Sequence, residues 1–224
     1  MTDPALKDRL AAVQERIETA AARSHRNSGH IQLLAVTKVF PASVIRDGYE
    51  LGLRDFGENY VQEFEGKAPD VTDLEHARFH LIGHLQSNKS RRASELFQVI
   101  QTLDSAKLAR RLGESQRALE VMIEVKLSEE ESKSGAAPEK LKETIEACRQ
   151  IPTLRLSGLM TVPPWSEDAE KSRPYFARLR EIAAEHGVQG LSMGMSNDLE
   201  VAIQEGATCV RVGTALFGKR KKHA

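Results

Sequence analysis

Short apolar runs rich in β-branched residues alternate along this chain with longer charged segments of helical period, and that alternation dictates successive βα units. A leading helix is expected over residues 5 to 22, where Leu6, Leu10, Val13 and Ile17 recur at three-to-four spacing. Strands are expected at 31–37, 53–56, 78–82, 98–102, 120–126, 154–159, 190–193 and 208–212. Helices fall between them at 42–52, 59–67, 87–95, 105–118, 137–149, 167–186 and 197–205. The first of these is entered through Pro41 and closed at Gly52, and the fourth takes Asp104 as its N-cap. Runs such as IQLLAVT are continuously apolar, which implies burial on both faces, as in a parallel sheet. Eight such units with right-handed crossovers close into a barrel. The expected fold is therefore α/β: a single-domain (β/α)8 TIM barrel over residues 1–224 with an extra N-terminal helix, its loops kept short by the 224-residue length. A doubly wound open sheet is the alternative, but it usually carries a glycine-rich first turn, and here that turn reads TKVFP.

Charge and composition exclude several classes of function. Lysine plus arginine and aspartate plus glutamate balance at 32 each, so no whole-chain field draws in nucleic acid or an anionic membrane. An aromatic content of 5% leaves few platforms on which bases could stack. The basic run from Lys219 to Lys222 is either a solvated tail or a binding patch. The amino terminus is amphipathic and carries acids, unlike a secretion signal, and no stretch approaches the roughly 20 apolar residues of a membrane helix. Cys148 and Cys209 have no CxxC spacing and no histidine cluster beside them, which suggests a reduced cytoplasmic protein without disulfides or structural zinc. A G-x-S-x-G elbow, a P-loop, a metal-ligand set and a paired-carboxylate glycosidase pattern are all missing.

In barrels of this kind the reactive groups sit at the carboxyl ends of the strands and in the loops that follow. Strand one ends in Lys38. Desolvation at the barrel rim would lower its pKa and leave a neutral amine able to attack an aldehyde; the plainer alternative is a lysine that snorkels into water. GMSN at 194–197 and VGTALFG at 212–218 each set glycine and a hydroxyl residue between a strand and a helix start. Backbone N–H groups there suit an anion, so Ser196, Gly213 and Thr214 are candidate phosphate ligands with Arg211 as a cationic neighbour. The competing reading has Ser196 capping the next helix and the glycines serving turns. An amine and a phosphate cradle at one mouth describe a site for a phosphorylated aldehyde, and pyridoxal 5′-phosphate is the commonest such cofactor. Asn59 and His84 either face its pyridine ring or belong to ordinary solvated loops.

At these residues the sequence resembles the pyridoxal phosphate homeostasis proteins, single-domain relatives of the alanine racemase amino-terminal domain. The resemblance runs from LLAVTK through DFGENYVQE, FHLIGHLQSNK, EESKSG and SGLMTVPP to LSMGMSNDLEVAIQEGATCVRVGTALFG. It implies a fold-type III barrel in which Lys38 forms the Schiff base with pyridoxal 5′-phosphate. It implies too that Ser196, Arg211, Gly213 and Thr214 hold the phosphate region, and that Asn59, His84 and Met193 line the ring pocket. Lys133 matches a further family lysine and is either an auxiliary contact or a solvated loop residue. The family often carries a second lysine two places past the first, where this chain has Phe40.

The resemblance implies a non-catalytic carrier that buffers or delivers the cofactor in the cytoplasm, with apo forms of dependent enzymes as partners, no nucleic acid or membrane partner, and a monomeric or weakly dimeric state. The sequence reading agrees, because racemisation needs two positioned proton-transfer groups and the chain ends directly after its eighth unit. The catalytic alternative is a small amino-acid racemase or lyase using the same lysine, with His84 or Tyr60 as second base.

Overall fold

The computed structural model describes residues 4–130 and 134–218. Lys133 and the basic run at 219–222 lie outside the described residues. Eight parallel strands close in sequence order: β1 Gln32–Val36, β2 Asp55–Glu58, β3 Arg78–Leu81, β4 Val99–Leu103, β5 Leu119–Glu124, β6 Leu154–Met160, β7 Gly190–Met195 and β8 Cys209–Val212. β8 pairs back onto β1 with Leu34 opposite Arg211 and Ala35 opposite Val212, which seals the barrel. The expected (β/α)8 architecture stands, and the open doubly wound sheet does not.

Helices α1 Pro4–Arg23, α2 Ala42–Glu50, α3 Val61–Lys67, α4 Ser90–Leu96, α5 Ala106–Gly113, α6 Leu141–Arg149, α7 Arg173–Glu185, α8 Leu199–Gln204 and α9 Thr214–Phe217 surround the strands. Several begin later than the hydrophobic period suggests, because short 3-10 turns at Ser87–Lys89, Pro138–Lys140 and Ala169–Ser172 lead into α4, α6 and α7. α5 stops at Gly113, short of residue 118, and its cap is Ser105, whose Oγ accepts the Leu108 N–H at 3.3 Å; Asp104 instead accepts a bond from the Ser105 hydroxyl. α8 starts at Leu199 after a tight turn through 196–198.

Two cores result from the alternation of side chains along each strand. The outer faces of the strands, including Phe56, Phe79, Ile100, Val121, Leu159, Met193 and Val210, join the helices in one apolar cluster. Phe64 of α3 packs on Phe79 and Phe97 with ring centroids 4.6 and 4.9 Å apart. The inner space holds Leu34, Val99, Met122 and Met160 together with a buried polar row. α1 lays its stripe of Leu6, Leu10, Val13 and Ile17, each no more than 5% exposed, against α8 and α9.

Candidate functional site at the barrel mouth

β1 delivers Lys38 into a turn at the carboxyl end of the barrel, half-buried, between fully buried Thr37 and exposed Val39. Val39 adopts φ +62°, a strained conformation for a β-branched residue. A buried charged cluster holds that turn. Thr37 Oγ1 donates to Glu58 at 2.7 Å, and Lys67 Nζ donates to the Thr37 carbonyl at 3.1 Å and to both Glu58 oxygens at 3.0 Å. Lys67 also meets Glu63 at 2.6 Å, and Glu63 accepts the Val39 N–H at 2.5 Å. Both sides of Lys38 are thereby tied to β2 and α3. Burial pushes the Glu58 carboxyl above its ordinary range, against the downward pull of Lys67 and Thr37. Sequence reasoning missed Lys67 and Glu63; their i,i+4 spacing on α3 reads as a common helix pair, and only the fold brings Glu58 and the Lys38 turn to them.

Opposite this turn, the loops after β7 and β8 meet. Ser196 Oγ accepts the Ala215 N–H at 3.2 Å, so this serine bridges the two loops and caps α9 rather than the helix that follows it in the chain. Asp198 organises the β7 turn by accepting the Met195 N–H at 2.7 Å and the Ser172 hydroxyl at 2.8 Å. Gly194, at φ +90°, would put a Cβ 2.4 Å from Ala202 Cβ, so the turn admits only glycine without displacement. From outside, Arg16 of α1 donates to the Ser196 carbonyl at 2.9 Å and pairs with Glu200, while Arg9 donates to the Leu216 carbonyl. Gly213 is the N-cap of α9 and approaches β1 so closely that a Cβ there would lie 3.3 Å from the Val36 carbonyl; Thr214 is exposed.

The lysine turn and the paired loops share one mouth. Phe40, at the place where the family often has lysine, packs on Phe217 of α9 with centroids 5.6 Å apart. Asn59 sits beside them after β2, its backbone pressed so closely on Gly83 that a Cβ there would lie 2.1 Å from the Asn59 carbonyl. The Oδ1 of Asn59 is buried and has no hydrogen-bond partner among the described residues, which leaves an acceptor open at this position. His84 stands at the rim, half exposed, 3.8 Å from Asp104. Arg211 is 4% exposed and turns into the barrel, donating to Ser192 Oγ and to the Thr161 carbonyl, both at 2.8 Å. Met193 is fully buried on the outer face of β7 in the helix-facing cluster, so the fold does not bring it to the mouth surface. The open groove between α4 and α5, lined by Arg91, Glu95, Lys107, Arg111, Glu114 and Arg117, mixes charges of both signs and lacks the orphaned acceptor and paired glycine turns found here.

These residues suit a phosphorylated aldehyde. A half-buried amine, an orphaned acceptor and backbone N–H groups at a hydroxyl-flanked helix start converge within one rim.

Residues 9–221 match the family model for the alanine racemase N-terminal domain. The chain is 47% identical over 221 residues to the pyridoxal phosphate homeostasis protein of Pseudomonas aeruginosa, with 96% of each chain covered. It is 43% identical to the protein of the same name from Aquifex aeolicus, covering 96% of this chain and 98% of the other. Among solved structures, PipY of Synechococcus elongatus, determined with PLP bound, superposes with a TM-score of 0.83 at 38% identity, over 95% of this chain and all of that one.

Proposed function

The chain belongs to the pyridoxal phosphate homeostasis protein family, and from that premise we propose that it holds pyridoxal 5′-phosphate at its barrel mouth, with Lys38 as the receiving amine, and buffers and delivers that cofactor. When bound, pyridoxal 5′-phosphate supplies an aldehyde that condenses with a primary amine and a phosphate that anchors it. The observation that carries the reading is the convergence of Lys38, the Ser196-bridged turns and the unpartnered Asn59 Oδ1 on one rim.

Each residue has a physical task in this reading. Ser196, Gly213 and Thr214 surround the phosphate, where Gly213 permits close approach and the α9 start directs N–H groups outward. Asn59 and His84 border the ring, and Arg211 faces it from below through the inner space of the barrel. Met193 supports β7 from its outer face. The Lys67 cluster fixes the turn that presents the amine. The two cysteines are buried thiols, their pKa values pushed by burial to about 12 at Cys148 and about 11 at Cys209, which leaves both unreactive; a cytoplasmic location is part of this proposal. No helix among the described residues is long and apolar enough to cross a membrane. Apo forms of cofactor-dependent enzymes are the recipients this role requires.

Borohydride reduction of the protein loaded with pyridoxal 5′-phosphate, followed by peptide mass mapping, is expected to fix the pyridoxyl group on Lys38 and to find none in Lys38→Ala. Label on another lysine would move the site. The catalytic alternative is separated by incubating the loaded protein with single amino acids in deuterated water. Exchange of the α-proton faster than with free cofactor would make the protein a racemase or lyase.

A further inference from the structure

The inner space of the barrel, where packed layers of branched apolar side chains are usual, is crossed here by a row of polar ones. Arg211 of β8 donates through Nη1 to Ser192 Oγ of β7 at 2.8 Å. Ser192 donates to Gln101 Oε1 of β4 at 2.6 Å, Gln101 Nε2 lies 3.1 Å from His80 Nδ1 of β3, and His80 Nε2 lies 2.8 Å from Asp55 Oδ1 at the start of β2. Ser192, Gln101 and His80 are at most 1% exposed. None of the five side chains leaves a buried polar atom unsatisfied.

The direction of every link follows from the two ends. A guanidinium only donates, so the Ser192 hydroxyl proton goes on to the Gln101 carbonyl. That turns the Gln101 amide N–H groups toward His80 and makes Nδ1 an acceptor, so the ring proton sits on Nε2 and points at the Asp55 carboxylate. The row is thus a one-way chain from a cation near the mouth to an anion at the amino-terminal end, where Arg78 lies 3.9 Å from the same carboxylate oxygen. A polar row in such surroundings is favourable only when every member is paired in one consistent sense.

We infer that Asp55, His80, Gln101 and Ser192 are positioning residues that hold Arg211 in a single orientation from the far end of the barrel, fixing the donor that the mouth presents to the ring of its ligand. This rests on the pyridoxal 5′-phosphate reading for the ligand, and on the hydrogen-bond geometry alone for the chain. Arg211 donates to Ser192 and to the Thr161 carbonyl, so cutting the chain at Ser192 removes one of the two hydrogen bonds that set the direction of the guanidinium.

Two measurements test it. In the cofactor-free protein, nitrogen-15 NMR of labelled histidine is expected to show His80 as the Nε2–H tautomer at neutral pH; a ring protonated on Nδ1, or on both nitrogens, would reverse the Gln101 links and overturn the chain. In the loaded protein, Ser192→Ala and His80→Leu are expected to shift the visible absorption of the bound cofactor and to weaken its binding about tenfold, with circular dichroism unchanged. His80→Gln, which can accept from Gln101 and donate to Asp55, is expected to recover most of that loss. Should His80→Leu fail to fold, Ser192→Ala, which removes a single oxygen, carries the same comparison. Wild-type spectrum and affinity in a folded Ser192→Ala would defeat the positioning role while leaving the cofactor reading intact. If the wild type takes up no cofactor on Lys38, the cofactor reading fails and the tautomer still decides the chain.

Discussion

Lys67 shows how much one side chain can carry. It is 8% exposed and is the cation beside Glu58, which has no exposed surface, so Lys67→Met strands a carboxylate in the core. We expect a loss of about 3–5 kcal/mol, read from urea unfolding. Without the ammonium, Glu58 escapes by taking up a proton, so the deficit should narrow as pH falls and widen as it rises. Asp55 has the opposite sign. Burial alone would raise its pKa, but the His80 hydrogen bond, the Gln32 side chain and Arg78 together hold it below the ordinary carboxylate range. A depressed folded pKa adds stability above the unfolded value and loses it as pH falls through the folded one. Asp55→Asn should therefore be less stable than wild type near neutrality, with the two unfolding curves converging in acid; a gap independent of pH would show that Asp55 acts through shape alone.

At the level of elements, the β7–α8 turn at the mouth leaves little room for change. Gly194→Ala combines a positive φ with a Cβ placed against Ala202, so the turn must shift. We expect a loss of about 1–3 kcal/mol and weaker retention of pyridoxal 5′-phosphate on dialysis, because the same turn carries Ser196 to the Ala215 N–H. Wild-type retention in this variant would show that the cradle does not depend on that bridge. Element types were legible in the sequence because the 3.6-residue period of the helices and the apolar strand runs are local signals. Their ends were less so: the α5 cap fell on Ser105, one residue past the expected Asp104, since cap choice depends on which side chain reaches the free N–H groups once the chain has turned.

In the whole molecule, α1 belongs to the support of the site. Its four apolar stripe residues contribute on the order of 6–12 kcal/mol by burial, comparable with the total stability of a domain. Its arginines hold the carbonyls of Ser196, Leu216 and, through Arg26 just beyond its end, Ile203. A chain beginning at residue 27 is expected to lose cooperative unfolding and native circular dichroism; a folded, cofactor-retaining truncation would make α1 dispensable. The eight βα units, the closure they favour and the strand-end residues from which a mouth site could be drawn can be read along the chain, because period and turn chemistry act over a few neighbours. It took the folded barrel to turn Arg211 inward, bridge Ser196 to α9, face Met193 to the helices, and set Lys67 and the inner polar row behind the mouth. Those outcomes depend on which strand faces meet around a closed ring, and no interaction between near neighbours along the chain encodes that meeting.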